Sequence, residues 1–304
     1  MREWSADVAV DEELVRRLIR GQFPELDLRS LRLVAEGWDN AVWLVDERWA
    51  FRFPRRAIAI PGVEREVAVV PRLSPLLPLR VPTPVFVGRP AESYPWPFFG
   101  AEFIPGHELA DVRLDDAART RLARPLATFL RTLHGVEVAA AFGDDELPID
   151  PNGRADMERR VPWTVERLAE IERLGLWQPP RSVRRTLEAA RGLPEPEQFT
   201  VVHGDLHFRH ILVDGDGAPS GVIDWGDVCR SDPAIDLVLV WSFFPREGRV
   251  AFFETYGPVT EAQLLRARVL ALFLCAALAL YGHHEGMTNV KREALQGLER
   301  TVED

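Results

Sequence analysis

The chain has 304 residues, 46% of them hydrophobic and 28% charged, with a formal net charge of −10. This is an ordinary balance for a water-soluble globular protein, and the length allows two modest domains. The negative charge argues against a nucleic-acid partner and is compatible with a cationic small molecule. Cys229 and Cys275 form no spaced motif, which suits a reducing compartment. The opening residues, Met1 to Asp7, lack the apolar core of a signal peptide. The longest apolar run, Val269 to Tyr281, is shorter than the roughly 18 residues of a membrane span and reads as a buried helix. A cytoplasmic, soluble protein with no membrane association and no protein partner is expected.

Asp11 to Ile19 reads as a short amphipathic helix, with Leu14, Val15, Leu18 and Ile19 on one face and Asp11 as its cap. Strands follow at Leu31 to Ala35, Ala41 to Val45 and Trp49 to Phe53. The first two are joined by Glu36-Gly37-Trp38-Asp39-Asn40, which a plain hairpin turn would also produce. Arg52 stands on a strand between Phe51 and Phe53, so its side chain faces the opposite side from both rings. Pro61 to Val70 reads as a helix with an apolar stripe of Val63, Val67 and Val70. Glu66 lies near that stripe, whereas Glu64 points away from it. Pro71 to Pro84 is proline-rich and expected to be extended, leading to strands at Val85 to Val87 and Phe98 to Ile104. Pro105-Gly106 breaks the last strand, and the domain boundary is expected there, dividing 1–104 from 105–304.

The second half reads as mostly helical. Leu122, Leu126, Phe129, Leu130 and Leu133 form a stripe in which Pro125 either kinks the helix or marks its start. Asp156 to Leu174, Val183 to Ala190, Thr260 to His283 and Val290 to Val302 have helical patterns, as does the segment after the cap Asp232-Pro233. Within this region, Thr200 to Asp227 is the most informative stretch. Thr200-Val201-Val202 reads as a buried strand ending in His203-Gly204-Asp205. Two further apolar runs, Ile211-Leu212-Val213 and Gly221-Val222-Ile223, flank the turn-forming Asp214-Gly215-Asp216-Gly217, and the second delivers Asp224 at a strand end. Two carboxylates anchored in this way suit phosphoryl transfer. One accepts the proton of the attacking hydroxyl, and the other holds the divalent cation that bridges the phosphates.

The stretch resembles the catalytic core of the aminoglycoside phosphotransferase family of kinase-like enzymes. Its H-G-D-x-x-x-x-N loop and following D-x-G match as His203-Gly204-Asp205 and Asp224-Trp225-Gly226. The resemblance implies an α+β, bilobal protein-kinase-like fold. A small antiparallel sheet forms the nucleotide-binding lobe, a larger helical lobe carries catalysis and acceptor binding, and the active site lies in the cleft between them. It implies Asp205 as catalytic base, Asp224 as metal ligand, and Arg52 in the place of the kinase lysine on the α- and β-phosphates. Arginine suits that task because its fork takes phosphate oxygens in bidentate fashion. Glu66 would be the partner of Arg52, and the turn ending at Asn40 would cover the phosphates with backbone N–H groups. Main-chain atoms of Glu102 and Ile104 would read the base, and Asp236 would brace the catalytic loop. One position departs from the pattern: His210 stands where the family has a metal-binding asparagine, which favours Mn²⁺ beside the expected Mg²⁺.

The leading expectation is transfer of the γ-phosphate of ATP or GTP to a hydroxyl of an aminoglycoside-like, macrolide-like or related small molecule. Asp144, Asp145, Asp156, Glu158, Glu254 and Glu285 would receive a polycationic acceptor, against the plainer reading of solvated surface. Two alternatives remain at this stage. His203, Asp205, His207 and His210 together would suit a metal-dependent hydrolase. The replacement at His210 would also suit a kinase-fold binding protein without chemistry.

Overall fold

The computed structural model describes residues 6–37, 39–143 and 145–303. The expectations placed on residues 1–5, Trp38 and Asp144 lie outside them. The chain forms two compact units. One is built from the chain up to Pro75 with Arg80–Pro105 and Ile223–Asp227, and the other from Leu76–Leu79, Gly106–Val222 and the chain from Val228 onward.

In the first unit, α1 (Glu12–Gln22) begins where the Asp11 carboxylate accepts the Leu14 N–H at 2.8 Å, and it buries Leu14, Val15, Leu18 and Ile19. Strands β1 (Leu31–Glu36), β2 (Asn40–Val45) and β3 (Trp49–Pro54) are followed by α2 (Ile60–Leu73), β4 (Pro84–Gly88) and β5 (Phe98–Glu102). They form one antiparallel five-stranded sheet in the order β1-β2-β3-β5-β4. Strand alternation divides β3 between two cores. Phe51 and Phe53 join the α1 residues, Trp43 and Phe98 on one face, with Phe53 stacked on Phe98 at 4.6 Å between centroids. Arg52, paired across the ladder with Phe99, belongs to the other face, where Val63 of α2 packs on Phe99 and Ala101.

Helix α2 passes through Pro71 and ends at Leu73, so the extended segment expected from Pro71 starts later. Pro71 sits in the last turn and removes only one helical N–H, while buried Val69, Val70 and Leu73 keep the turn docked.

The second unit holds β6 (His107–Glu108), α3 (Asp116–Leu133), α4 (Val136–Ala140), α5 (Met157–Arg173), α6 (Arg181–Ala190), β7 (Thr200–Val202), β8 (Ile211–Val213), β9 (Pro219–Val222) and β10 (Cys229–Ser231). It closes with α7 (Val238–Phe243), α8 (Arg246–Tyr256), α9 (Glu261–His284) and α10 (Thr288–Val302). The sheets here are small, β6-β8-β9 and β10-β7. Helix α3 starts at its Asp115 cap rather than at Pro125, which lies inside it. Helix α9 opens with a Thr260/Gln263 capping box. By length and composition it is sufficient to cross a membrane, longer than its uninterrupted apolar run suggested. Half of its most apolar stretch is buried within this unit, and it packs on α10, α5 and α7, as expected of a core helix.

The buried pair Arg119–Glu293 joins α3 to α10, with Nη1–Oε1 2.5 Å, Nη2–Oε2 2.8 Å and both side chains at most 2% exposed. Arg119→Ala leaves the buried Glu293 carboxylate with only the longer contact to Arg300 Nη1, at 3.7 Å among the described residues, and should lower the unfolding free energy by about 3 kcal/mol in urea titration. The double change Arg119→Met/Glu293→Leu should recover most of that loss.

Candidate active site

In the first unit, α2 brings Glu66 to the buried face of Arg52. Arg52 Nη1 lies 3.1 Å from Glu66 Oε1, and its Nη2 lies 2.7 Å from Asp224 Oδ1. Glu66 Oε1 also accepts the Trp225 N–H at 3.0 Å, and the Arg65 guanidinium donates to the Gly226 carbonyl. These bonds hold Asp224 at φ 67°, a left-handed conformation that non-glycine residues adopt at a cost. Gly226 lies against Gly62, with room for no more than an ordinary van der Waals contact from an added Cβ, at 3.5 Å from the Gly62 backbone. Burial pushes the Glu66 carboxyl up to about 7, with Asp224 adding to the rise, while Arg52 and the Trp225 N–H oppose it. Burial acts to lower the Arg52 pKa, but Asp224 and Glu66 outweigh it and keep the guanidinium charged.

In the second unit, the turn after β7 is fixed by one fully buried carboxylate. Asp236 accepts the His203 N–H at 2.7 Å and the Gly204 N–H at 3.0 Å, with Gly204 at φ 88°. His134 Nε2 lies 3.0 Å from the same carboxylate, so Nε2 is the donor and the ring's Nδ1 accepts from the Tyr256 hydroxyl at 2.7 Å. The expected bracing residue, Asp236, therefore has a partner, His134, that the sequence reading did not single out. Its signal was a histidine ending an apolar stripe immediately before Gly135, a place usually read as a helix end.

Asp205 follows this turn with its side chain 27% exposed, and the Arg154 guanidinium is paired with it. Burial acts to raise its pKa, but Arg154 first, then His207 and His210, outweigh that and hold the carboxyl near 2. His210 Nδ1 lies 2.8 Å from the Asp205 carbonyl oxygen, which can only accept, so in the neutral ring Nε2 carries the lone pair. His207 Nδ1 accepts the Arg209 N–H, and His203 Nδ1 accepts the Asp205 N–H. Asp205, His207 and His210 offer ligand atoms within 4.8 Å of one another. His203 is fully buried and stands outside that group, so the four-residue metal site considered from sequence reduces to three.

A cavity of about 220 Å³ is lined by Gly204 and Asp205. Leu206, Ile235, Val238 and Phe273 contribute apolar wall, and Asn152, Arg154 and Arg160 contribute polar groups. Arg154 is carried by a turn in which Asp150, at φ 31°, accepts the Arg154 and Ala155 N–H groups at 2.7 and 2.8 Å. Neither arginine was singled out from sequence, although Asp150-Pro151-Asn152-Gly153 is strong turn chemistry directly before a capped helix. The acids expected to receive a polycation are not gathered here. Asp156 caps α5, Glu254 pairs with Arg124, and Asp145, Glu158 and Glu285 are exposed.

Of the remaining predicted residues, Asn40 opens β2, its carbonyl accepts the Gly37 N–H at 2.9 Å, and its Oδ1 is buried without a partner among the described residues. Glu102 ends β5 opposite Trp49, one residue beyond the last pairing with β4 at Ala101. Ile104 is buried two residues on.

An antiparallel N-terminal sheet with an Arg–Glu–Asp charge chain, and a helical C-terminal part with a braced aspartate turn, define a kinase-like phosphotransferase. The sequence profile of the phosphotransferase enzyme family matches residues 30–270, and the chain belongs to that family. It is 29% identical over 285 residues to viomycin phosphotransferase of Streptomyces vinaceus, covering 91% of this chain and 90% of that one. A 61-residue stretch is 38% identical to an uncharacterised Bacillus subtilis protein, spanning only 20% of either chain. The fold is similar to that of the GDP complex of aminoglycoside 2'-phosphotransferase-IIIa, with TM-score 0.68, 24% identity, and 96% and 98% of the two chains covered.

The raised Glu66 carboxyl makes the folded protein bind a proton that the unfolded chain, with an ordinary value near 4.5, has already released. Its contribution to stability is therefore complete below about pH 4.5 and lost as pH rises through about 7. Urea midpoints of the metal-free protein should fall over this window, and Glu66→Gln should flatten that part of the profile. An equal slope in the variant would assign it to another group.

Proposed function

We propose that this phosphotransferase moves the γ-phosphoryl group of ATP or GTP to a hydroxyl of a small molecule in the cytoplasm, with antibiotics of the kind its relatives are named for as the first acceptors to test. The observation that carries the reading is Arg52 held by both Glu66 and Asp224. This is the charge arrangement that phosphate positioning requires. In this reading, residues 1–104 bind nucleotide and residues 105–304 carry catalysis and the acceptor. Ile223–Asp227, which packs with the first unit, supplies Asp224 to the nucleotide side.

Arg52 holds the α- and β-phosphates, Asn40 and its turn cover them, and main-chain atoms of Glu102 and Ile104 meet the base. Asp205 is ionised at any working pH and takes the hydroxyl proton as the acceptor oxygen bonds to the γ-phosphorus. The bond from that phosphorus to the β–γ bridging oxygen breaks, and the nucleoside diphosphate leaves. Asp224 fits Mg²⁺ by its carboxylate oxygens, and the bound ion would neutralise the phosphates. His210 offers a nitrogen, a better match for Mn²⁺ than for Mg²⁺. The hydrolase alternative has one observation in its favour, the Asp205–His207–His210 group, and family membership outweighs it.

Turnover of ATP and GTP against a panel of hydroxylated antibiotics tests the reading. Asp205→Ala should lower kcat by roughly 10²- to 10⁴-fold with little change in nucleotide affinity, and a rate within about threefold of the parent would remove Asp205 as the base. His210→Asn should keep or raise activity with Mg²⁺ and reduce any preference for Mn²⁺. A folded His210→Asn protein inactive with every divalent ion would turn the reading toward the histidine-rich group.

A further inference from the structure

The charge around the cavity beside Asp205 is opposite to what a polycation needs. Arg160 is only 7% exposed, and its Nε and Nη2 donate to the carbonyls of Gly153 and Asn152 at 3.2 and 3.0 Å. Among the described residues it forms no ion pair. Burial and then the nearby charge of Arg154 push its pKa down to about 10. The opposing carboxylate, Asp150, is committed to the N–H groups of Arg154 and Ala155. The Arg160 guanidinium also lies 4.8 Å from the Phe273 ring centroid, which fixes it against the apolar wall. The other arginine at the cavity, Arg154, is paired with Asp205, the carboxylate assigned as the base. Arg160 thus has no carboxylate in an ion pair with it among the described residues, and the carboxylate paired with Arg154 must turn to a hydroxyl during reaction.

A buried charge that lacks a counterion is costly, and an anionic ligand relieves the cost. The cavity has a volume of about 220 Å³. It lies below the roughly 300–1,000 Å³ of sites that enclose a drug-sized molecule. One arm of an acceptor fits, bounded by apolar side chains on one side and by guanidiniums on the other.

We propose that this cavity receives a carboxylate-bearing, partly apolar arm of the acceptor next to the hydroxyl to be phosphorylated, and that Arg154 exchanges Asp205 for that carboxylate on binding. The exchange is a movement of ion pairs in which no bond is made or broken. It leaves Asp205 to the acceptor hydroxyl only when an anionic acceptor is present, so Arg154 acts as a positioning and selecting residue. This inference rests on the phosphotransfer reading for the role of Asp205.

The test uses three hydroxylated probes that share one aromatic skeleton: phenyllactate, neutral phenyllactamide and cationic phenylalaninol. Calorimetry on the full chain without nucleotide should give phenyllactate a Kd about tenfold or more below that of phenylalaninol, as a charge-assisted pair implies. Arg154→Gln should abolish the preference, and Arg154→Lys should restore part of it. Arg160→Lys, which keeps the charge, should retain it, while Arg160→Gln should weaken it. Phenylalaninol binding as tightly as phenyllactate overturns the proposal, as does a preference unchanged in both glutamine variants. No binding of any probe up to about 10 mM, well above a weak-ligand Kd, overturns it too. An Asp205→Ala enzyme of unchanged turnover would instead sink the phosphotransfer roles and leave the measured anion preference standing.

Discussion

Much of the first unit depends on a single carboxylate oxygen. Glu66 Oε1 receives Arg52 from β3 and the N–H of Trp225 from a segment more than 150 residues away in the chain. A helix, a strand and a distant loop therefore share one buried acceptor, and the position of Asp224 follows from it. The arrangement carries tension, because burial favours the neutral acid while the guanidinium favours its charge. A group so balanced responds to a change in neighbouring charge more readily than a solvated one. Phosphates arriving on Arg52, or a cation arriving on Asp224, would shift that balance in opposite directions.

The second unit solves a similar problem by another route. Asp236 takes two backbone N–H groups and one imidazole N–H, so its charge is met by three donors and no cation is needed. The turn at Gly204 is thereby rigid before any ligand arrives. Asp205, one residue on, inherits that rigidity in its backbone while its side chain answers to Arg154. Fixed backbone and exchangeable partner are complementary requirements for a base that must be placed accurately and still be released.

The fold was largely legible because its signals are local. Alternation placed Arg52 opposite Phe51 and Phe53, and helical phase brought Glu66, not Glu64, to the stripe of α2. The Asp11 cap marked the start of α1, and the helical pattern read from Thr260 began one residue before α9, although the capping role of Thr260 was not read. Prolines misled, because Pro71 and Pro125 lie inside helices whose buried faces outweigh one missing hydrogen bond. The motif residues around Asp205 and Asp224 were visible as apolar runs ending in aspartates. Arg154, Arg160 and His134 were not visible, since each matters through a partner remote in sequence or through burial. A chain rich in arginine offers no contrast by which two of them stand out.

That difference bears on how acceptor preference is encoded. The formal charge of −10 suggested a cationic acceptor, yet net charge describes the whole surface and decays over about a Debye length of roughly 10 Å in solution. At the cavity the relevant charges are few, near and partly withdrawn from solvent, so they outweigh the many screened acids elsewhere. Glu254 is satisfied by Arg124 in an exposed ion pair, and Asp156 is satisfied by its own backbone. Arg160 forms no ion pair among the described residues and is met by two carbonyl oxygens and the rings of Trp163 and Phe273. Local, under-compensated charge is therefore the quantity that distinguishes one acceptor from another here. In this protein its sign is positive, although the molecule as a whole is acidic.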